Sequence, residues 1–263
     1  MAIILALNMK VSYVVIAYNT EKYIGECIKS ILAQKHHKEV IIINDGSTDD
    51  TLNVIKSFGD QIILVNHLEN KGCCASRMEG MSLCSGDYMT FIDSDDYYLK
   101  DLPVPKLFGP DIIDYGIYGA FDSISKQKDI CSNVDERLFD EEIWRNYRDR
   151  KINELLVNKL ISKRLYKKVV DNLYIDDLNN YCDNFCIMSC FAYYAKSYIC
   201  VHDTYYFYRQ ATGMNTYLDK LEMFKAFCGQ KKAVDRLVKL GMPFDSLMRE
   251  VVSRAYEFEK WME

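Results

Sequence analysis

The sequence has no GxGxxG turn and no GxxxxGKS/T loop, so neither a dinucleotide fingerprint nor a P-loop phosphate cradle is available to it. It also lacks any apolar run long enough to span a bilayer. The apolar opening Ala2–Leu7 is short, and its basic residue, Lys10, follows it instead of preceding it. That is the wrong order for a secretory signal, and Met9-Lys10-Val11 reads as the start, with an upstream extension. Excess positive charge is missing too: 33 Lys and Arg stand against 38 Asp and Glu, a net charge of -5 that gives no global attraction for nucleic acid. Proline is scarce, and three of the 4 prolines, Pro103, Pro105 and Pro110, fall in one loop. Cysteine is not scarce at 10 residues. A chain of this size needs no disulfide staples and shows no sign of secretion, so the thiols are read as mostly reduced and the protein as cytosolic.

What is present is the composition of an ordinary globular chain, 49% hydrophobic and 27% charged over 263 residues, enough for one sizeable domain or two small ones sharing a core. Continuous apolar, β-branched runs at Val11–Ala17, Val40–Ile43, Ile62–Val65 and Tyr88–Ile92 have the character of strands buried on both faces. Between them, Ile24, Ile28, Ile31 and Leu32 recur at helical spacing, Ser47 with Asp50 reads as a capped helix start, and Ala75–Leu83 is a third helical stretch. Strand and helix alternate at βαβ spacing, which predicts an α/β fold whose central sheet is mostly parallel and covered by helices on both faces. Beyond residue 100 the rhythm breaks. Ile112–Tyr118 reads as a further strand, residues 140–200 as helical and aromatic-rich, and the stretch from Leu218 as an amphipathic helical region. Its apolar residues Phe224, Phe227, Val234, Leu237 and Leu240 belong by default to the protein's own core.

Polar clusters follow three of the predicted strands: Tyr18-Asn19, Asn44-Asp45-Gly46 and Asp93-Ser94-Asp95-Asp96. On a parallel sheet such ends converge on one edge, where ligands of doubly wound folds bind. Three carboxylates in the last cluster repel one another unless a cation neutralises them, and oxygen ligands in that number suit Mg²⁺ or Mn²⁺ with room left for phosphate oxygens. The competing reading is a solvated acidic turn. An EF-hand is excluded because Tyr97 and Tyr98 stand where Asp or Asn and Gly are required. Asp45-Gly46 is either a simple turn or an acceptor for base or ribose donors, with Tyr18 stacking on the base. Arg77 is either a diphosphate partner or an exposed helix arginine. Cys182, Cys186 and Cys190, spaced along one side of a helix, are either core thiols or a zinc site, and the absence of a CxxC pair favours the core.

The ordered segments Val11-Ser12-Tyr13-Val14-Val15-Ile16-Ala17-Tyr18-Asn19, Asn44-Asp45-Gly46-Ser47-Thr48-Asp49, Asn70-Lys71-Gly72, Ala75-Ser76-Arg77, Gly86-Asp87-Tyr88 and Phe91-Ile92-Asp93-Ser94-Asp95-Asp96 resemble the family 2 glycosyltransferases in order and spacing, strongly over residues 11–98 and weakly beyond. The resemblance implies a Rossmann-like GT-A fold with a helical C-terminal region, and sugar transfer with inversion from a nucleotide-sugar donor, a UDP-sugar before a GDP-sugar. It places Tyr18 and Asp45 at the base, Arg77 near base or phosphates and Asp93 at the ribose. Asp95 would hold the Mg²⁺ or Mn²⁺, and Ala17, Asn19 and Ser94 would lie in the same donor pocket. Ala17 departs from the proline common in the family. On the acceptor side, Tyr181-Cys182-Asp183-Asn184-Phe185 matches the family's acidic pair, with Cys182 in place of glutamate. Asp183 is therefore the expected general base, with Asp176 and Asp177 as rivals. Arg209, after the tyrosine-rich Tyr205–Tyr208, is expected either at the donor phosphates or stacked on tyrosine, and His202 is either structural or a further metal ligand.

These readings divide the chain into a nucleotide-sugar half (1–120), an acceptor half (121–217) and a C-terminal helical segment (218–263). Residues 145–168 hold nine basic and two acidic side chains. They form either a solvated face or a surface for anionic lipid or a phosphate-bearing acceptor. The expectation is an enzyme at the inner membrane surface that extends a glycan or lipid-linked saccharide in bacterial lipopolysaccharide or capsule synthesis. A non-catalytic nucleotide-sugar-binding module and a sugar-nucleotide nucleotidyltransferase are the alternatives.

Overall fold

The computed structural model describes residues 9–106, 109–120, 128–130, 132–134, 137–173, 183–209, 235 and 237–243. Val11–Ala17 (β1) lies near the middle of the sheet, with Val11, Tyr13, Val14, Val15 and Ala17 fully buried, because its side chains point alternately into two separate cores. Lys38–Asp45 (β2), Ile63–His67 (β3) and Tyr88–Asp93 (β4) flank it in the order β3-β2-β1-β4, all parallel. The crossovers carry Ile24–Leu32 (α1), Thr51–Lys56 (α2) and Cys73–Leu83 (α3). This is the predicted α/β arrangement. One helix start differs: Ser47 caps nothing. α2 begins at Thr51, and Ser47 Oγ instead accepts from the Asn19 N–H and donates to Asn44 Oδ1.

The sheet does not end where the βαβ rhythm ends. Tyr97–Tyr98 (β5), Ile112–Ala120 (β6), Lys128–Ile130 (β7), Leu138–Phe139 (β8), Lys159–Ser162 (β9) and Ser197–Arg209 (β10) complete ten strands among the described residues, with Glu141–Arg148 (α4), Lys163–Asn172 (α5) and Asp183–Tyr194 (α6) interspersed. The path continues β4-β9-β6-β10-β5, so the sheet runs without a break across residue 120. The reading of residues 140–200 as helical missed β9. Its Lys159, Leu160 and Ile161 are buried between β4 and β6, and four residues are too few to show a period beside two helices. Because β9 is antiparallel to both neighbours, β6 and β10 run in the same direction as β1 to β4. Six carboxyl-terminal strand ends therefore share one edge.

One core, including Val14, Ile43, Met81, Phe91, Ile161, Leu165 and Phe191, lies under α3, α5 and α6. The other, including Tyr13, Ile28, Ile42, Tyr98, Tyr115 and Tyr206, lies under α1. Leu237 and Leu240 join the first core, as the default reading of the C-terminal stretch expected, while Phe224, Phe227 and Val234 lie outside the described residues. Among the described residues no helix is long and apolar enough to cross a membrane.

The basic segment is not one solvated stripe. Lys159 is fully buried and faces Asp114, its register partner on β6, at 3.0 Å. Asp114 Oδ2 accepts from the hydroxyls of Ser132 (2.6 Å) and Tyr198 (2.8 Å), and Lys159 Nζ also donates to Asn153 Oδ1 at 2.7 Å. Arg164 pairs with Asp111, while Lys163 and Lys167 donate to the Ser85 and Ser82 carbonyls at the C-terminal end of α3, where cations are favoured. Arg145, Arg148, Arg150, Lys151 and Lys168 stay exposed.

A buried pair is costly to break from one side, since the surviving charge keeps its desolvation cost without its partner. Lys159→Met is expected to lose about 3–5 kcal/mol in urea unfolding, with Asp114→Asn added to it recovering part of the loss.

Candidate active site

The turn after β1 and the turn after β2 are built as one unit. Asn19 sits at φ 52° and accepts the Thr48 N–H on its side-chain oxygen at 2.8 Å, while its own N–H reaches Ser47 Oγ at 3.1 Å. Ala17 is buried beneath this junction and Tyr18 is half-buried on it. Gly46, at φ 73°, could not be another residue: a Cβ there would lie 2.6 Å from Asn70 N and from the Glu69 carbonyl carbon. The Asn70-Lys71-Gly72 segment thus packs directly on the Asp45-Gly46 turn.

Asp45 explains that packing. Its carboxylate is almost fully buried; Oδ1 accepts from Lys71 N (2.9 Å) and Oδ2 from Gly72 N (3.0 Å). Oδ1 also lies 2.8 Å from His67 Nδ1, and His67 Nε2 lies 2.8 Å from Glu79 Oε2. His67, the register partner of Asp45 at the end of β3, and Glu79 on α3 were not singled out in the sequence. Their signal was faint, a lone histidine two residues past an apolar run. Among the described residues Asp45 Oδ2 accepts the Gly72 N–H, and a carboxylate oxygen has the lone pairs to accept a second donor.

The acidic cluster closes a tight turn in which the Asp96 N–H donates to the Asp93 carbonyl at 3.0 Å. Each carboxylate has a different setting. Asp93 is paired with Arg77 NH2 at 2.8 Å; Asp95 is half-exposed; Asp96 is buried and accepts from the Tyr206 hydroxyl (2.7 Å) and the Arg209 N–H (2.7 Å). Ser94 is buried within the turn. Burial first, and then the charges of Asp93 and Asp95, push the Asp96 carboxyl up to about 9. Burial and the same three aspartates also push the Tyr208 hydroxyl up to about 12. Tyr206, fully buried on β10, additionally accepts the Asp93 N–H at 3.1 Å, so one phenol fastens both ends of the turn. It too went unnoticed in the sequence, hidden in a run of tyrosines.

Arg77 is not an exposed helix arginine. It is 5% exposed, lies over the Phe91 ring at 5.7 Å, and donates from NH1 to Asn184 Oδ1 at 2.8 Å as well as from NH2 to Asp93. It therefore joins the acidic turn to the first turn of α6. Arg209 takes the tyrosine-stacked position: its guanidinium lies 4.6 Å from the Tyr23 ring centre and 5.7 Å from that of Tyr97, and is paired with Glu26 at 2.9 Å. Asp183 is the first residue of α6. Asp176, Asp177 and Cys182 lie outside the described residues. Cys186 and Cys190 are buried in the core, and His202 is exposed on β10. Among the described residues no group of three or more His, Cys, Asp or Glu side chains is arranged to hold a metal by itself; the zinc reading of Cys182, Cys186 and Cys190 includes Cys182, which lies outside them.

Residues 12–173 match the family model described as glycosyl transferase family 2. Glycosyltransferase GlyG of Streptococcus pneumoniae serotype 4 is 31% identical over 223 residues, which are 77% of this chain and 71% of that protein. Another relative from the same bacterium is 40% identical over 95 residues, which are 35% of this chain and only 14% of that protein's length, so that likeness is confined to one segment. The fold is similar to that of S. aureus TarS residues 1–349 in complex with UDP-GlcNAc (TM-score 0.63, 20% identity, 88% of this chain and 67% of that one). It is also similar to the mannosyltransferase PcManGT of Pyrobaculum calidifontis in complex with GDP-Man and Mn²⁺ (TM-score 0.55, 12% identity, 97% of this chain and 83% of that one).

Removing the imidazole behind Asp45 strands a buried carboxylate. His67→Ala is expected to destabilise the protein by about 1–3 kcal/mol in urea unfolding, and His67→Asn, whose amide nitrogen can occupy the place of Nδ1, by distinctly less.

Proposed function

Since the chain belongs to glycosyl transferase family 2, we propose that it moves a sugar from a nucleoside-diphosphate sugar to an acceptor hydroxyl with inversion at the anomeric carbon. The observation that carries this reading is the convergence of Tyr18, Asp45, Asp93–Asp96 and Arg209 on one edge of the sheet, with Arg77 linking them to the helix that begins at Asp183. In this reading Tyr18 stacks on the base, and a second lone pair of Asp45 Oδ2 meets an N–H of the base. An acceptor suits the imide N–H of uracil and the N1–H of guanine alike; the TarS complex contains UDP-GlcNAc, and a UDP-sugar is the donor favoured here on that likeness. Asp93 accepts from the ribose. Ala17, Asn19 and Ser94 shape the pocket through the turns they hold. Arg209, whose backbone N–H bonds Asp96 while its guanidinium pairs with Glu26, exchanges Glu26 for a phosphate of the donor in this reading.

The acidic turn fits a hard divalent cation. Its ligand atoms are carboxylate oxygens, Asp96 is pushed up by burial and then by its two neighbours, and a cation beside them would relieve the part due to repulsion. Asp95, the half-exposed member, would hold Mg²⁺ or Mn²⁺; PcManGT carries Mn²⁺ in its complex. When bound there, the cation supplies Lewis-acid neutralisation of the charge that develops on the departing nucleoside diphosphate. On the opposite side of the sugar, Asp183 takes the proton of the attacking hydroxyl, from the dipole-favoured first turn of α6.

Likeness to the poly(ribitol-phosphate) beta-glucosyltransferase of Bacillus spizizenii, 33% identical over 96 residues, supports a role in bacterial surface glycan synthesis, with lipopolysaccharide or capsule as the finer proposal and a glycan or lipid-linked saccharide as acceptor. The exposed Arg145, Arg148, Arg150, Lys151 and Lys168 are the residues that would meet anionic headgroups at the inner face of the membrane.

A thermal-shift panel of sugar nucleotides with and without Mn²⁺ tests the donor and the metal together. A UDP-sugar at about 100 times its Kd is expected to raise Tm by about 5–10 °C with Mn²⁺. Asp95→Ala should erase the Mn²⁺-dependent part; an unchanged metal effect in that variant would remove Asp95 from the site. Asp183→Asn should lower transfer about 10²–10⁴-fold while donor affinity changes less than about 2-fold, and near-normal turnover would place the base elsewhere.

A further inference from the structure

Arg77 touches both sides of the proposed reaction centre with one rigid group. Its NH2 donates to Asp93 Oδ1 and its NH1 to Asn184 Oδ1, each at 2.8 Å. A guanidinium is planar, so its two terminal nitrogens keep a fixed separation and cannot follow one partner without disturbing the other. At 5% exposure, held over Phe91, the group has little room to swing away. At one end, Asp93 is about a third exposed on the sheet edge, where a bound donor can reach it. At the other end, Asn184 is the second residue of α6 and directly follows Asp183. The body of α6 is immobilised: Cys186, Ile187, Met188, Cys190, Phe191 and Ala192 are all fully buried in the core. The Arg77–Asn184 contact therefore acts on the first turn, the part of the helix that carries Asp183.

We propose that Asn184 is a positioning residue that, through Arg77, makes the first turn of α6 follow the occupancy of the acidic turn, so that donor binding sets the acceptor-side base in place. This rests on the glycosyltransferase reading above and adds to it a physical link between the two half-sites. A ligand that engages Asp93 and the cation at Asp95 redistributes charge beside the Arg77 fork, and the response passes through 2.8 Å hydrogen bonds to a helix terminus. Asn184 lies on the helix side of that fork and makes no claim on the donor itself. Its loss should uncouple the two half-sites and spare donor affinity.

The test is hydrogen–deuterium exchange of the peptide covering residues 183–190, with and without saturating UDP and Mn²⁺, alongside calorimetric UDP binding. In the wild type UDP with Mn²⁺ is expected to slow exchange in this peptide by about five-fold or more. Asn184→Ala should reduce that protection below about two-fold while its UDP Kd stays within about three-fold of wild type, and Asn184→Asp, which keeps an acceptor oxygen for Arg77, should restore it. Full protection in Asn184→Ala overturns the proposal. So does an equal loss in Asn184→Asp, or a UDP affinity that falls in step with protection. A wild type that binds UDP without protecting the peptide overturns the link alone; a wild type that does not bind UDP overturns the donor reading and the link with it.

Discussion

Crowding three carboxylates onto the end of a buried strand creates a repulsion that the protein has to contain, and much of its tertiary structure is arranged around that constraint. The turn Asp93–Asp96 is closed by its own backbone, yet its charges are held from elsewhere: by Arg77 on α3, by Tyr206 on β10, and by the backbone of Arg209. The last two lie more than 100 positions away in sequence. The three settings make the aspartates inequivalent. One is ion-paired, one is buried and biased toward protonation, and one is half-exposed. A single motif thereby offers different chemistries at neighbouring atoms, which is what a site for a diphosphate and a cation requires.

The second half of the sheet exists to deliver those partners. β10 reaches the acidic turn only because β9 turns the sheet's direction twice, placing β6 and β10 parallel to β1 and β4. That insertion is secured in the interior by the Asp114–Lys159 pair and its hydroxyl partners, which tie β6, β9, β10 and the segment around Ser132 together. Just before β6 begins, Asp111 joins β6, β9, α5 and the start of β10 through Ser162, Arg164 and the Lys196 N–H. Buried polar networks of this kind contribute more to geometry than to net stability.

Legibility in the sequence followed the strength of local patterning. β1, β2 and β4 are apolar and β-branched enough to read as buried strands at nearly their observed bounds, and the clusters after them were read at the correct ends. β9 was illegible because four residues between two helices show no period, and because a lysine in a central strand looks like surface. Ser47 and Asp50 had the spacing of a capping box, but tertiary contacts with Asn19 and Asn44 claimed the serine. Lys159 and Arg77 misled in the same direction. Long cationic side chains are exposed by default, and only a carboxylate arriving from a distant strand makes their burial tolerable.

The family, the α/β alternation and the residue types at the strand ends were determined by the sequence alone, since each depends on side chains close together in the chain and on a pattern repeated in order. Which aspartate pairs with Arg77, which is buried and which is half-exposed was decided only by the tertiary structure. So were the support of Asp45 by His67 and the span of Arg77 from Asp93 to Asn184. The physical reason is that charge and hydrogen-bond partnerships are set by distance in space, and the partners here are brought together by the closing of a ten-stranded sheet, which no local pattern encodes.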